Sequence, residues 1–85
     1  EDIPFESSKR KEIDTILSTR SFNSIAGINI NNVNDEDGFK FYLQDNSWVL
    51  VRFSGTEPLL RLHAESNSLD QVESLVKDIK KNLKL

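Results

Sequence analysis

The sequence predicts an α+β domain, a four-stranded and mainly antiparallel sheet with two helices packed on one face. Three observations predict it. Apolar residues recur at helical spacing near both ends of the chain, they alternate with polar residues through its middle, and clusters of turn residues separate the alternating runs. One apolar sheet face and two apolar helix stripes can then cover each other.

Residues 1–6 read as extended or linker-like, because Pro4 disfavours helix at Ile3. A first helix is expected from Ser7 to Thr19. Ile13, Ile16 and Leu17 share one face, and Lys9, Arg10, Lys11, Glu12 and Asp14 surround it. The apolar stripe is narrow, so this helix must draw its stability from docking. From Ser24 the period changes to two. Ala26, Ile28 and Ile30 alternate with Gly27, Asn29 and Asn31, as a half-buried strand does. Asn34-Asp35-Glu36-Asp37-Gly38 reads as a turn, with Asp-Gly supplying the positive φ of a tight hairpin.

Phe39, Phe41 and Leu43 then alternate with Lys40, Tyr42 and Gln44, and Asp45-Asn46-Ser47 makes the next turn. Trp48 to Phe53 is the most β-prone run, apolar on both faces as in a central strand, with Trp48 read as core. In a fourth strand, Leu59 to Glu65, Leu60, Leu62 and Ala64 oppose Arg61, His63 and Glu65. The last helix spans Leu69 to Leu83, with Leu69, Val72, Leu75, Val76, Ile79 and Leu83 on one face. Ser68 and Gln71 have capping-box spacing, and Asp70, Glu73, Lys80, Lys81 and Lys84 suit the helix dipole.

Eighty-five residues make a single domain, residues 1–85. A net charge of −3 provides no broad attraction to nucleic acid or to an anionic membrane, and neither is expected as a partner. The absence of cysteine excludes disulfides, thiolate metal sites and thiol nucleophiles. No apolar run approaches the roughly 20 residues of a membrane span. The chain opens at Glu1 and contains no methionine, so it is expected to be a piece of something longer. Asp35, Glu36 and Asp37 lack the remaining ligands of a calcium loop and read as a solvated turn. His63 reads as an unremarkable exposed side chain.

The chemically richest segment runs from Val51 to Arg61 and joins the last two strands. Ser54 and Thr56 offer hydroxyls on either side of Gly55, which can adopt φ values closed to other residues and turn successive N–H groups inward as an anion nest. Arg52 ends one strand and Arg61 lies in the next, and a guanidinium fork matches phosphate or carboxylate oxygens bidentately. Pro58 fixes the exit from the loop. The competing reading is an ordinary turn with Arg61 in a surface ion pair to Glu57 or Glu65, worth about 0–1 kcal/mol.

The run Arg52-Phe53-Ser54-Gly55-Thr56-Glu57-Pro58, followed by Arg61 and Glu65, closely resembles the phosphate-binding loop of the α-D-phosphohexomutases, in the phosphoglucomutase/phosphomannomutase branch. The signature is an arginine, one residue, Ser-Gly-Thr-Glu-Pro, two residues, an arginine, three residues and an acid, and every fixed position is matched. The resemblance implies that the whole chain is the C-terminal domain of such an enzyme, with a fold similar to the TATA-box-binding-protein-like unit. It implies that Arg52, Ser54, Gly55, Thr56 and Arg61 bind the phosphate of a hexose phosphate that is not being transferred. Glu57 is assigned to loop shape or arginine pairing.

The family's phosphoserine loop, its Mg²⁺-binding Asp-Gly-Asp-Gly-Asp loop and its sugar-reading Gly-Glu-x-Ser-Gly segment have no counterpart between Glu1 and Leu85. The resemblance therefore implies that no catalytic residue, cofactor or metal belongs to this fragment, and that it is inactive alone. Mg²⁺ is expected on another domain of a cytoplasmic isomerase of carbohydrate metabolism, and the other domains are its expected partners. Rival readings are a small nucleic-acid-binding module using Tyr42, Arg52 and Arg61, or a protein-interaction domain.

Overall fold

The computed structural model describes residues 1–19 and 21–85. In chain order the elements are β1 (Asp2–Pro4), a 3-10 turn (Ser7–Lys9), α1 (Arg10–Thr19), β2 (Ser24–Ile25), β3 (Ile28–Asn34), β4 (Phe39–Leu43), β5 (Trp48–Phe53), β6 (Leu59–Glu65) and α2 (Leu69–Asn82). The strands form one sheet in the order β1-β6-β5-β4-β3-β2, with every neighbouring pair antiparallel. The α+β class stands, but the sheet has six strands where the sequence predicted four.

Both extra strands have a physical origin that hydrophobic periodicity does not register. Residues 1–6 are extended, as one of the two readings had it, but they are tied into the sheet rather than linker-like. Asp2, Ile3 and Pro4 pair with Arg61, Leu60 and Leu59, while Phe5 N donates to Pro58 O at 3.0 Å and Leu62 N donates to Glu1 O at 2.8 Å. Hydrogen-bonding positions alternate along an antiparallel strand, so Pro4, one residue from Phe5, has its nitrogen on the outer edge, where no donor is needed. Ile3 and Phe5 are buried, which anchors this edge in the core.

The second extra strand comes from a two-residue turn. Ala26 and Gly27 have φ of 52° and 79°, and Ile25 pairs with Ile28 across them. Positive φ at both central residues is the hairpin geometry that follows the twist of the flanking strands. The strand expected through Ala26, Ile28 and Ile30 is therefore two strands, and Ala26 lies in the turn between them. Its N–H donates to Asp78 Oδ2 of α2 at 2.8 Å.

One core lies between the sheet and the helices. Ile13 and Leu17 of α1 and Leu75 and Ile79 of α2, with Leu83 just beyond, meet Phe41, Leu43, Val49, Val51, Leu60 and Leu62 of the central strands. Burying each such side chain contributes about 1.5–3 kcal/mol. Leu69 is 80% exposed and does not belong to the buried face assigned to it, because the first turn of α2 overhangs the core. Ser68 Oγ caps α2 by accepting from Gln71 N at 3.1 Å. The Gln71 side chain does not complete a capping box; its Nε2 donates to Asp45 Oδ2 at 2.6 Å.

Trp48 also departs from the core position expected for it. It is half-buried on the open face of the sheet, where its Nε1 donates to Glu65 Oε2 at 2.9 Å and Lys40 Nζ stands 4.3 Å from its ring centroid. A strand central in a sheet covered on one side still has a solvent-facing side, and an indole N–H prefers it.

Candidate anion-binding loop

Alternation along β5 and β6 sends Val49, Val51, Leu60 and Leu62 inward, and therefore Arg52 and Arg61 outward. Register does the rest, because Arg52 and Arg61 are direct cross-strand partners. Ser54 N donates to Leu59 O at 3.0 Å, so two residues further from the loop Arg52 and Arg61 form another hydrogen-bonded pair, with Cα atoms about 5.5 Å apart. Like charges directly opposite each other destabilise a sheet. Arg52 Nη1 lies 3.4 Å from Asp37 Oδ2, with the two side chains 46% and 85% exposed, which makes this a weak, solvent-screened pair. Among the described residues, no carboxylate comes within ion-pair distance of Arg61. The root of the loop therefore sets two guanidinium groups side by side, with Asp37 beside Arg52 and Asp2 across from Arg61 on β1.

Gly38 makes room for this arrangement. Its φ is +84°, and a Cβ there would stand 2.8 Å from Val51 O and 3.0 Å from Arg52 Cβ. The Asp-Gly turn read from the sequence thus has a second role, admitting the stem of Arg52.

Residues 54–58 cross from β5 to β6. The loop is closed at its base by the Ser54–Leu59 bond, at its exit by Leu59 N donating to Glu57 O at 2.8 Å, and laterally by the bond from Phe5 N to Pro58 O. Ser54 is buried, 7% exposed, and its Oγ accepts from Thr56 N at 3.4 Å. That hydroxyl accepts within the loop and keeps its own proton to donate. Gly55 and Thr56 are exposed. Gly55 does not take the positive φ expected of it; among the described residues only Gly27 and Gly38 do so among glycines. A Cβ at Gly55 would meet nothing within 4 Å, so the space above the loop is open.

The structure brings the five predicted residues to one hairpin end but divides them between two faces. Arg52 and Arg61 stand on the open face of the sheet. On the helix side, a cleft of about 390 Å³ is lined by Phe5, Ser7, Arg10 and residues 54–58, and neither Arg52 nor Arg61 lines it. Arg10 lies outside the motif and lines the cleft all the same. Its guanidinium carbon stands 4.5 Å from the centroid of the Phe53 ring. No local pattern links Arg10 to the loop, because only the docking of α1 joins them. A second groove of about 500 Å³ between β6 and α2 contains no loop residue and lies beside Glu1, Lys77 and Lys80. Among the described residues, no three His, Asp or Glu side chains gather as a metal site.

The fold and the loop together define a small α+β domain that carries an arginine-flanked Ser-Gly-Thr turn at one sheet end. Residues 6–82 match the family described as phosphoglucomutase/phosphomannomutase, C-terminal domain, and the chain belongs to that family. It is 32% identical over 72 residues to a probable phosphoglucosamine mutase of Methanosphaera stadtmanae, covering 85% of this chain and 16% of that protein. It is 39% identical over 66 residues to a phosphoglucosamine/phosphogalactosamine mutase of Sulfurisphaera tokodaii, covering 78% of this chain and 13% of the relative. With a phosphoglucosamine mutase of Methanocaldococcus jannaschii, identity is 51% over 45 residues, covering 52% of this chain and 10% of the relative. The chain thus spans only a small part of the length of these relatives.

Proposed function

We propose that this chain is the phosphate-clamping domain of a phosphosugar mutase, holding the phosphate that is not exchanged while phosphoryl transfer proceeds at the other end of the sugar. The observation that carries this reading is the direct pairing of Arg52 with Arg61 at the root of an open Ser54–Pro58 loop. A dianion there relieves guanidinium repulsion and accepts charge-assisted hydrogen bonds in return. Arg52 presents its fork from the strand end, Arg61 adds a second cation, and the Ser54 and Thr56 hydroxyls with the Gly55 N–H donate from the loop. The names of the relatives favour a hexosamine phosphate as the whole enzyme's substrate.

The family in general uses Mg²⁺, and we place that ion on another part of the parent protein, along with the phosphoryl-transferring serine. This chain contributes grip and orientation, which lower the barrier by fixing the substrate at the reacting centre. It works in the cytoplasm, on this reading, and closes over the site as one body.

Binding by the domain alone should be no tighter than about millimolar, or about −4 kcal/mol, because one phosphate offers few contacts and association costs must be met. Urea unfolding tests this. At 20 mM ligand and a 1 mM dissociation constant, linkage raises stability by about 1.8 kcal/mol. Glucosamine 6-phosphate and glucose 6-phosphate should act equally, since every contact is to phosphate, and Arg52→Ala should abolish the effect. Stabilisation matched by sodium chloride at equal ionic strength, or retained in Arg52→Ala, would remove the clamp from the account.

A further inference from the structure

The helix-side cleft contains a cation that the family motif does not include. Arg10 opens α1, and its guanidinium carbon lies over the Phe53 ring, 4.5 Å from the centroid. Phe53 is held in turn by Phe5, whose ring meets it edge-on at 5.9 Å and 71°. Phe5 is also the residue whose N–H binds Pro58 O in the loop. Arg10, its aromatic shelf and the loop therefore form one packed unit. Among the described residues the Arg10 guanidinium makes no side-chain hydrogen bond, so its N–H donors stay available beside the ring. Among the described residues, no carboxylate lies within ion-pair distance of Arg10. Ser7 and the nine-tenths-buried Ser54 line the same cleft. Glu57 also lines it and opposes an anion there.

We propose that Arg10 is a third cation of the anion site, reaching a phosphate in the Ser54–Thr56 loop from the helix face while Arg52 and Arg61 reach it from the open face. This rests on the loop being a phosphate site and adds to it a residue from a distant element. The ligand class is a phosphate monoester or inorganic phosphate, gripped from two sides.

Calorimetric titration of the 85-residue chain with inorganic phosphate tests the proposal. Arg10→Gln should weaken binding about tenfold, the loss of one charge-assisted contact in partly screened surroundings. Arg10→Lys should recover part of it, because the charge remains and the planar fork does not. Glu57→Gln should tighten binding about two- to threefold by removing a like charge. Both positions are exposed, so thermal midpoints of all three variants should stay within a few degrees of the parent chain. Arg10→Gln and Arg10→Lys binding like the parent, with binding lost in Arg52→Ala, would overturn the role of Arg10 and leave the loop site standing. A lowered midpoint at unchanged affinity would reduce Arg10 to a structural contact and overturn it equally. No binding by the parent chain would overturn both readings together.

Discussion

Arg52 and Arg61 face each other across β5 and β6, and their repulsion has a measurable cost in the unliganded domain. In water, two unit charges about 6 Å apart repel by about 0.7 kcal/mol, and physiological salt, with a Debye length of about 8 Å, roughly halves this. Asp37 beside Arg52 and Asp2 opposite Arg61 offset part of each single charge, but a double-mutant cycle removes those separate contributions. The cycle compares Arg52→Gln, Arg61→Gln and the double variant by urea unfolding, urea being uncharged. With a denaturant slope of about 1 kcal/mol/M for so small a domain, the coupling appears as about 0.5 M in midpoint. It should be repulsive in 10 mM buffer, vanish in 1 M sodium chloride and turn favourable in 20 mM phosphate. A zero or attractive coupling at low salt, or one indifferent to phosphate, would refute the claim that the two guanidinium groups share an anion.

The remaining predictions concern the frame around the loop. Gly38→Ala should destabilise the domain by about 1–3 kcal/mol, since it places a Cβ at positive φ against Val51 O and the Arg52 stem, and should weaken phosphate binding as well. The unfolding midpoint and a phosphate titration report the two effects, and unchanged affinity in a folded variant would separate Gly38 from the placement of Arg52. Asp45 is held below the ordinary carboxylate range by hydrogen bonds from the Ser47 side chain, then from Ser47 N and the Gln71 side chain. A depressed folded-state pKa stabilises fully above the unfolded value near 3.9 and loses that contribution as pH falls through the folded-state value. Stability measured from pH 7 to pH 2 should therefore fall less steeply at the acid end in Asp45→Asn, and an unchanged slope would contradict the assignment.

What could be read from the sequence follows the distinction between local and non-local causes. The last helix is legible because Val72, Leu75, Val76, Ile79 and Leu83 repeat at one period, and its Ser68 cap lies next to it in the chain. Its first turn misleads, since Leu69 has the right spacing but nothing above it to bury against. A two-residue turn preserves alternation, so Ala26 and Gly27 pass unnoticed inside an apparently continuous strand. Asp2 to Pro4 have no pattern of their own and become a strand only because β6 offers an edge. At the loop, the motif supplies every residue from Arg52 to Arg61. Their facing register requires the sheet, and Arg10 requires the docking of α1.

These causes converge on one hairpin end. Positive φ at Gly38 admits Arg52, the register sets Arg61 beside it, and bonds from Phe5 and Leu59 hold the loop without filling the space above Gly55. The domain is acidic overall, so its attraction for a phosphate must be local. A residue-resolved amide-shift titration of the chain with inorganic phosphate measures that locality directly. Saturable shifts should concentrate at Arg52 to Glu57 and at Arg61, and should be absent in Arg52→Ala. Shifts confined instead to the lysine-rich end of α2 around Lys77, Lys80 and Lys81, and persisting in Arg52→Ala, would contradict it.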